Sequence, residues 1–213
     1  MKHLLIILFL SLMSSMSMYA QALQDIKLNE PNKSRGSSVM KALSDRISVR
    51  EYDAKELSLQ DLSDLLWAAN GVNRTDGKRT APSAMNRQEI DVYVMNKDGA
   101  YFYDAANHML KVVAAGDFRK EVAVSQDFAA TAPVCIVLVA NLEKLGDPAS
   151  ENTRVTAGLD AGIVNQNINI FCAAVGLATV PRGTMNKEEL KKILKLSDTQ
   201  YLMLNNPVGY PKK

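Results

Sequence analysis

The sequence predicts a mixed α+β fold in a single domain. Three observations carry this. Stretches with helical spacing and stretches of strict alternation are interleaved without a regular strand–helix–strand rhythm. A hairpin signal sits in mid-chain around "NKDG". Finally, 213 residues, less an N-terminal leader, suffice for one sizeable core.

The leader is "MKHLLIILFLSLMSSMSMYAQA", with a basic start at Lys2, an apolar run from Leu4, and Ala20 and Ala22 spaced as A-x-A. That is the pattern of a cleavable secretory signal peptide over residues 1–22. The run is shorter and more serine-interrupted than a span of about 20 apolar residues. The chain therefore reads as exported and periplasmic, with no stable membrane anchor. Residues 23–36 are polar and contain Pro31 and Gly36, so they read as a linker or an arm draped on a neighbour; residues 37–213 form the domain.

Within the domain, Ser37 or Ser38 can cap a short helix through "SSVMKALSD". Ser58 opens "SLQDLSDLLWAANG", with Asp61 as capping partner, Leu62, Leu65, Leu66 and Ala69 as the apolar stripe, and Gly71 as the stop. Ile90, Val92 and Val94 alternate in "EIDVYVM", and "NKDG" turns into a second alternating strand. "RKEVAVSQDFAATA" reads as one helix ended by Pro133, with "VCIVLVAN" as a strand buried on both faces. "TAGLDAGIVNQNINIFCAAVGLA" is a long apolar helix; Gly158 and Gly162 permit close approach of another helix, of this chain or of a second subunit. Asn186 caps "NKEELKKILKL", whose early Glu188 and Glu189 and later lysines suit the helix dipole. "QYLMLNNPVGYP" is the last strand.

A net charge of +2 without an aromatic-rich basic patch gives no footprint for nucleic acid. Beyond the leader the sole histidine is His108, read as a helix residue satisfied locally, and no CxxC or HExxH occurs, so a histidine-rich metal site is excluded. Cys135 and Cys172 lie in apolar runs and read as buried free thiols, with a disulfide left open for an exported chain. GxGxxG, GxxxxGK[ST] and GxSxG are absent, which removes the commonest phosphate cradles and the serine-hydrolase elbow.

Three stretches could carry chemistry. In "SDRISVREYD", Arg46, Ser48 and Arg50 stand at alternate positions, and in an extended segment they share a face able to grip one anion such as a phosphate. In "TAPSAMNRQ", Ser83, Asn86 and Gln88 offer groups that both donate and accept, suited to the edge of a heterocycle. In "ATVPRGTM", Pro181 and Gly183 flank Arg182 and force irregular backbone after a helix, where exposed N–H groups can meet a ligand.

In order along the chain, "RISVREY", "LSDLLWAANGVNR", "APSAMNRQ", "GLDAGIVNQNINIFCAAVGLATVPRG" and "PVGYP" resemble the FMN-dependent nitroreductase family, from about Ser37 to Tyr210. The resemblance implies a central, mostly antiparallel sheet flanked by helices, in an intertwined homodimer with FMN at the interface. By position, Arg46, Ser48 and Arg50 would hold the phosphate and ribityl end. Ser83, Asn86 and Gln88 would reach the flavin from the partner subunit. Pro181, Arg182 and Gly183 would lie beside the isoalloxazine, with Lys212 or Lys213 as an added basic contact. The implied activity is two-electron transfer through flavin N5, from NAD(P)H or an extracytoplasmic reductant to a small electron-poor acceptor such as a nitroaromatic or quinone, with no side-chain acid or base required. The alternatives are a non-catalytic flavin-binding protein, or a dehydrogenation or dehalogenation on the same fold.

Overall fold

The computed structural model describes residues 22–213, so nearly all of the predicted signal peptide lies outside the described residues. Seven strands form one antiparallel sheet in the order β1-β4-β3-β2-β5-β7-β6. The strands are β1 (Ile26–Lys27), β2 (Ile90–Met95), β3 (Gly99–Asp104), β4 (Met109–Ala115), β5 (Val134–Asn141), β6 (Ala178–Thr179) and β7 (Gln200–Gly209). The helices are α1 (Val39–Asp45), α2 (Leu59–Asn70), α3 (Arg119–Ala123), α4 (Phe128–Thr131), α5 (Glu151–Val175) and α6 (Lys187–Ile193).

The central strands explain why the fold has three layers. Side chains alternate between faces of a strand, and β5 is apolar at every interior position. Val134, Ile136, Leu138 and Ala140 join the core shared with Leu62, Leu65 and Leu66 of α2 and Ala157, Ala161, Val164 and Ile168 of α5. Cys135, Val137 and Val139 join Leu190 of α6 and Val122 of α3 on the other face. Both cysteines are buried free thiols.

Local signals act as the sequence indicates at several ends. Ser38, Ser58 and Asn186 each accept the backbone N–H three residues on. Gly176 ends α5 in the left-handed conformation at φ 77°. Gly71 stops α2 for a different reason: its φ is −77°, and a Cβ there would stand 2.5–2.8 Å from atoms of Trp67. The residue is glycine because of close approach, not because of a left-handed turn.

Four readings are completed or corrected. The 23–36 arm lies on its own chain: β1 pairs with β4, the Asn29 and Asn32 amides donate to Ser63 Oγ and Asp64 Oδ1, and the Arg35 guanidinium bridges Asp61 and Asp64. Strand β4, which the sequence reading leaves unassigned, completes a three-strand meander with β2 and β3. His108 lies in the β3–β4 turn at φ 47°, not in a helix, with Nδ1 2.9 Å from Tyr103 Oη and Nε2 2.9 Å from the Asn29 carbonyl oxygen. Burial lowers its pKa, so it is a neutral, satisfied imidazole.

The fourth correction concerns the helix expected before Pro133. It is broken into α3 and α4 at Val124, a β-branched residue held at φ 55°. The carbonyls of Val122 and Ala123 accept from the Arg182 guanidinium, each at 3.0 Å, instead of continuing the helical ladder.

Candidate functional site

The segment at residues 46–50 is extended without being a strand of the sheet. Its backbone is fixed on the inner side, where the Val49 amide donates to the Thr179 carbonyl at 2.9 Å and the Tyr52 hydroxyl donates to the Val49 carbonyl at 2.9 Å. With Val49 packed beside Tyr52, Ala132 and Ala178, the flanking Ser48 and Arg50 stay exposed and Arg46 half-buried. Among the described residues neither guanidinium has a carboxylate partner. Arg50 instead lies over the Phe128 ring, 6.0 Å from its centroid.

The chain's end joins the same place. Tyr52 and Pro211 form a bridge, and the Lys212 amide donates to the Glu51 carbonyl at 3.3 Å. The backbone of Lys212 is thereby held against that of Glu51, the residue after Arg50. The 181–183 turn follows directly from β6, the strand that holds Val49. Pro181 and Gly183 are exposed, and space around Gly183 is open, with no atom within 4 Å of where a Cβ would stand. Three separate stretches of sequence thus converge on one cationic edge.

Arg182 differs from its neighbours. It is only 6% exposed. Its amide donates to the Asn205 carbonyl at 2.8 Å, and its guanidinium donates to Gln126 Oε1 and Asn205 Oδ1 at 2.7 Å and to the Val122 and Ala123 carbonyls. Burial lowers its pKa, yet the group stays cationic in this ring of acceptors. Both the amide and the side chain of Arg182 are thus committed to the protein, and Gly183 carries the open backbone of the turn.

The 83–88 loop is built on backbone strain. Met85, Asn86 and Gln88 have φ of 51°, 54° and 50°, left-handed values that L side chains rarely adopt. The Gln88 amide donates to Ser83 Oγ at 2.8 Å, and the Gln88 carboxamide is held by Arg79 and by the Gly77 carbonyl. Asn86 is exposed, and among the described residues its Nδ2 donates to nothing. Met85 is 72% exposed, so it does not pack in this chain.

Within one chain the two parts stay apart. The loop is tied to α5 at Asp160, whose Oδ2 accepts the Ala84 amide at 2.7 Å. The start of α1, which leads to Arg46, is tied to α5 at Ala174, whose carbonyl accepts the Ser37 amide at 2.9 Å. From 160 to 174 is 14 residues, about 21 Å of helix at 1.5 Å per residue.

Sequence reasoning missed the supporting residues. Asn205 and Asn206 of β7 are both fully buried. Asn205 holds Arg182 and donates to the Thr184 carbonyl at 3.0 Å, while Asn206 accepts from Asn165 of α5 at 2.9 Å and donates to Thr179 Oγ1 at 3.3 Å. Two carboxamides interrupting the apolar strand "YLMLNNPVG" were the available signal.

An antiparallel sheet between two helical layers, with a cationic edge at one end of its long helix and a strained polar loop further along it, defines an α+β protein with two separate polar regions. The chain belongs to the nitroreductase family, whose model matches residues 43–210. It is 32% identical over 173 residues to a candidate nitroreductase of Methanocaldococcus jannaschii, covering 77% of this chain and 86% of that one. The crystal structure of a candidate nitroreductase from Ralstonia eutropha superposes with a TM-score of 0.84 at 36% identity, over 91% of this chain and 92% of the other. A candidate NADH oxidase from Clostridium acetobutylicum, 22% identical, shares the fold with a TM-score of 0.57 over 83% of this chain and 89% of its own. Family membership indicates an oxidoreductase of the flavin-dependent type.

Proposed function

We propose that the chain binds FMN as a homodimer and transfers two electrons from a small donor to an electron-poor acceptor such as a nitroaromatic or a quinone. The observation that carries this reading is the bond from the Val49 amide to the Thr179 carbonyl. It seats a segment whose two guanidiniums have no carboxylate partner among the described residues against the strand that leads to the open Gly183 backbone. That donor set fits a phosphorylated, partly aromatic cofactor: Arg46, Ser48, Arg50 and Lys212 would hold the phosphate end, and Gly183 would face the ring.

Bound FMN would supply the two-electron chemistry, and the protein's part is binding and orientation. Ser83, Asn86 and Gln88 would come from the second subunit. In support, α5 leaves Val155, Leu159 and Ile163 exposed at a spacing of four, and α1, packed on α5, leaves Val39, Met40 and Leu43 exposed, with Ile47 exposed just after it. A run of exposed apolar side chains of this kind supports an interface with a second copy. A second copy running antiparallel along α5 would cover it and bring each 83–88 loop to the other chain's cationic edge. Gly162 has no heavy atom of its own chain within 4 Å of a built Cβ, leaving that strip of α5 open to the same partner.

For a chain exported by the predicted leader, the donor is an extracytoplasmic reductant or NAD(P)H. The test is a visible spectrum of the mature chain, from about Leu23, after incubation with FMN and desalting. Flavin bands at about one FMN per subunit support the reading, and anaerobic donor titration then identifies what bleaches them. No retained flavin refutes it, and retention without turnover by any donor favours the non-catalytic alternative.

A further inference from the structure

Beneath the 83–88 loop lie two acids to which the flavin reading gives no task. Glu89, the residue before β2, is fully buried, and Asp160 of α5 is 6% exposed. Asp160 already accepts the Ala84 amide that opens the loop. Glu89 presents two buried carboxyl oxygens, and among the described residues neither finds a donor. The Asp160 carboxyl bears on it from α5, whose Ala157 and Ala161 share one core with the adjacent Ile90.

The charges acting on Glu89 are Asp160 and Lys144, the latter in the turn after β5. Lys144 is engaged elsewhere: its Nζ donates to the Gln88 carbonyl at 3.2 Å and lies 3.7 Å from Asp91 Oδ1, with the side chain 40% exposed. Two ionised carboxylates cannot hydrogen-bond to each other, and away from water their repulsion is poorly screened. One proton removes both difficulties, turning one acid into a donor and leaving the other an acceptor.

We propose that Glu89 and Asp160 hold one proton between them, so that Glu89 donates to Asp160 while Asp160 accepts the Ala84 amide, and that this pair positions the strained 83–88 loop. The pair are positioning residues and touch no ligand. The proposal deepens the FMN reading, because that loop is the part offered to the flavin, but the pair itself belongs to the FMN-free fold. Burial, followed by the facing Asp160, pushes the Glu89 pKa up to about 7, in keeping with a retained proton. A loop with three left-handed residues needs such an anchor, since its own backbone favours other conformations.

The sign of the pH dependence follows. A carboxyl whose pKa is higher folded than unfolded stabilises the fold at low pH, and that contribution is lost as pH rises from the ordinary carboxylate range through about 7. Glu89→Gln replaces the shared proton with an amide N–H that donates to Asp160 at every pH.

The test uses the FMN-free full mature chain. Infrared titration should show a buried protonated carboxyl band that fades as pH rises through about 7 and is absent in Glu89→Gln. Thermal midpoints should fall over that interval in the wild type and stay flat in the variant. Hydrogen–deuterium exchange at pH 6 should show the 83–88 peptide protected equally in wild type and Glu89→Gln, and exchanging at least tenfold faster in Asp160→Ala. A missing band at pH 5, the same pH dependence in Glu89→Gln, or unchanged loop exchange in Asp160→Ala would each overturn the proposal. Because none of these readouts involves flavin, failure to retain FMN with the band present would sink the FMN reading alone.

Discussion

Replacing Arg182 with alanine separates a positioning role from a ligand contact. The guanidinium serves three buried acceptors, the Val122 and Ala123 carbonyls at 3.0 Å and Asn205 Oδ1 at 2.7 Å, while Gln126 Oε1 can turn to water. A buried acceptor left without a donor costs about 1–3 kcal/mol. Water entering the vacated space recovers part of this, and the cost of desolvating the cation disappears with the side chain. The Ala123 carbonyl keeps the Gln126 amide at 3.0 Å, so two acceptors are orphaned and the low end applies, about 2 kcal/mol for the pair. In a chain of this size 1 kcal/mol shifts Tm by roughly 2–4 °C, so the expected loss is roughly 4–8 °C. Scanning calorimetry measures it, and Arg182→Lys should recover less than half, since one ammonium cannot meet acceptors spread around a planar fork. Activity with anionic and neutral acceptors should fall in equal proportion. A Tm within about 2 °C of wild type, combined with a selective loss for anionic acceptors, would refute the reasoning and return Arg182 to the ligand.

Arg50→Ala removes one charge-assisted contact worth about 1.5–3 kcal/mol, so FMN affinity in an absorbance titration should drop roughly 10- to 100-fold; undiminished affinity would count against the phosphate assignment. Leu159 is 66% exposed on the apolar stripe of α5, so Leu159→Arg should leave the subunit folded and shift it to monomer in sedimentation, with FMN retention falling alongside; sedimentation identical to wild type would argue against this interface. For Asp61, burial raises the pKa, but hydrogen bonds from Ser58, Tyr210 and Arg35 outweigh it and hold the carboxyl below its usual range. A depressed folded pKa stabilises above the ordinary carboxylate range and is lost as pH falls through the folded value, so Asp61→Asn should lower the urea midpoint at neutral pH and flatten the acid limb of the stability profile.

The elements legible in the sequence are those fixed by local chemistry. Ser58 with Asp61, the stripe Leu62, Leu65, Leu66 and Ala69, and the unbroken apolar run of β5 each specify their structure within a dozen residues. What the sequence hides is set by distant partners. Val124 breaks a segment of good helical pattern because Arg182, 58 positions away (182 − 124), takes the carbonyls beside it. His108 looked helical and is a turn residue because Tyr103 and Asn29 hold its ring. For the candidate site, alternation alone puts Arg46, Ser48 and Arg50 on one side of the segment, and the inward Val49 turns its neighbours Ser48 and Arg50 outward. The surroundings of Arg182 are not legible locally: residue type suggests an anion contact, whereas the guanidinium is ringed by carbonyl oxygens of distant residues.

The adjacent Asn205 and Asn206 show how one strand organises this edge of the molecule. Neighbouring residues of a strand point to opposite faces. Asn205 reaches one layer, where it fixes Arg182 and through it the α3 to α4 break, and also the Thr184 carbonyl beyond the turn. Asn206 reaches the other layer, joining Asn165 of α5 to Thr179, whose own carbonyl holds Val49. A hydrophobic pair at these positions would pack but leave the turn and the 46–50 segment without common anchors. Buried amides cost free energy unless satisfied, and here each is hydrogen-bonded, so the same bonds that offset burial fix the distance between the cationic edge and the open Gly183 backbone. Asn206→Leu should therefore be tolerated poorly at the site before it is tolerated poorly by the fold, because Asn165 and Thr179 each lose a partner while the apolar contacts of β7 remain. A rise in the FMN dissociation constant larger than the accompanying loss of stability would express that order, and a proportionate loss of both would show that the carboxamide serves the fold alone.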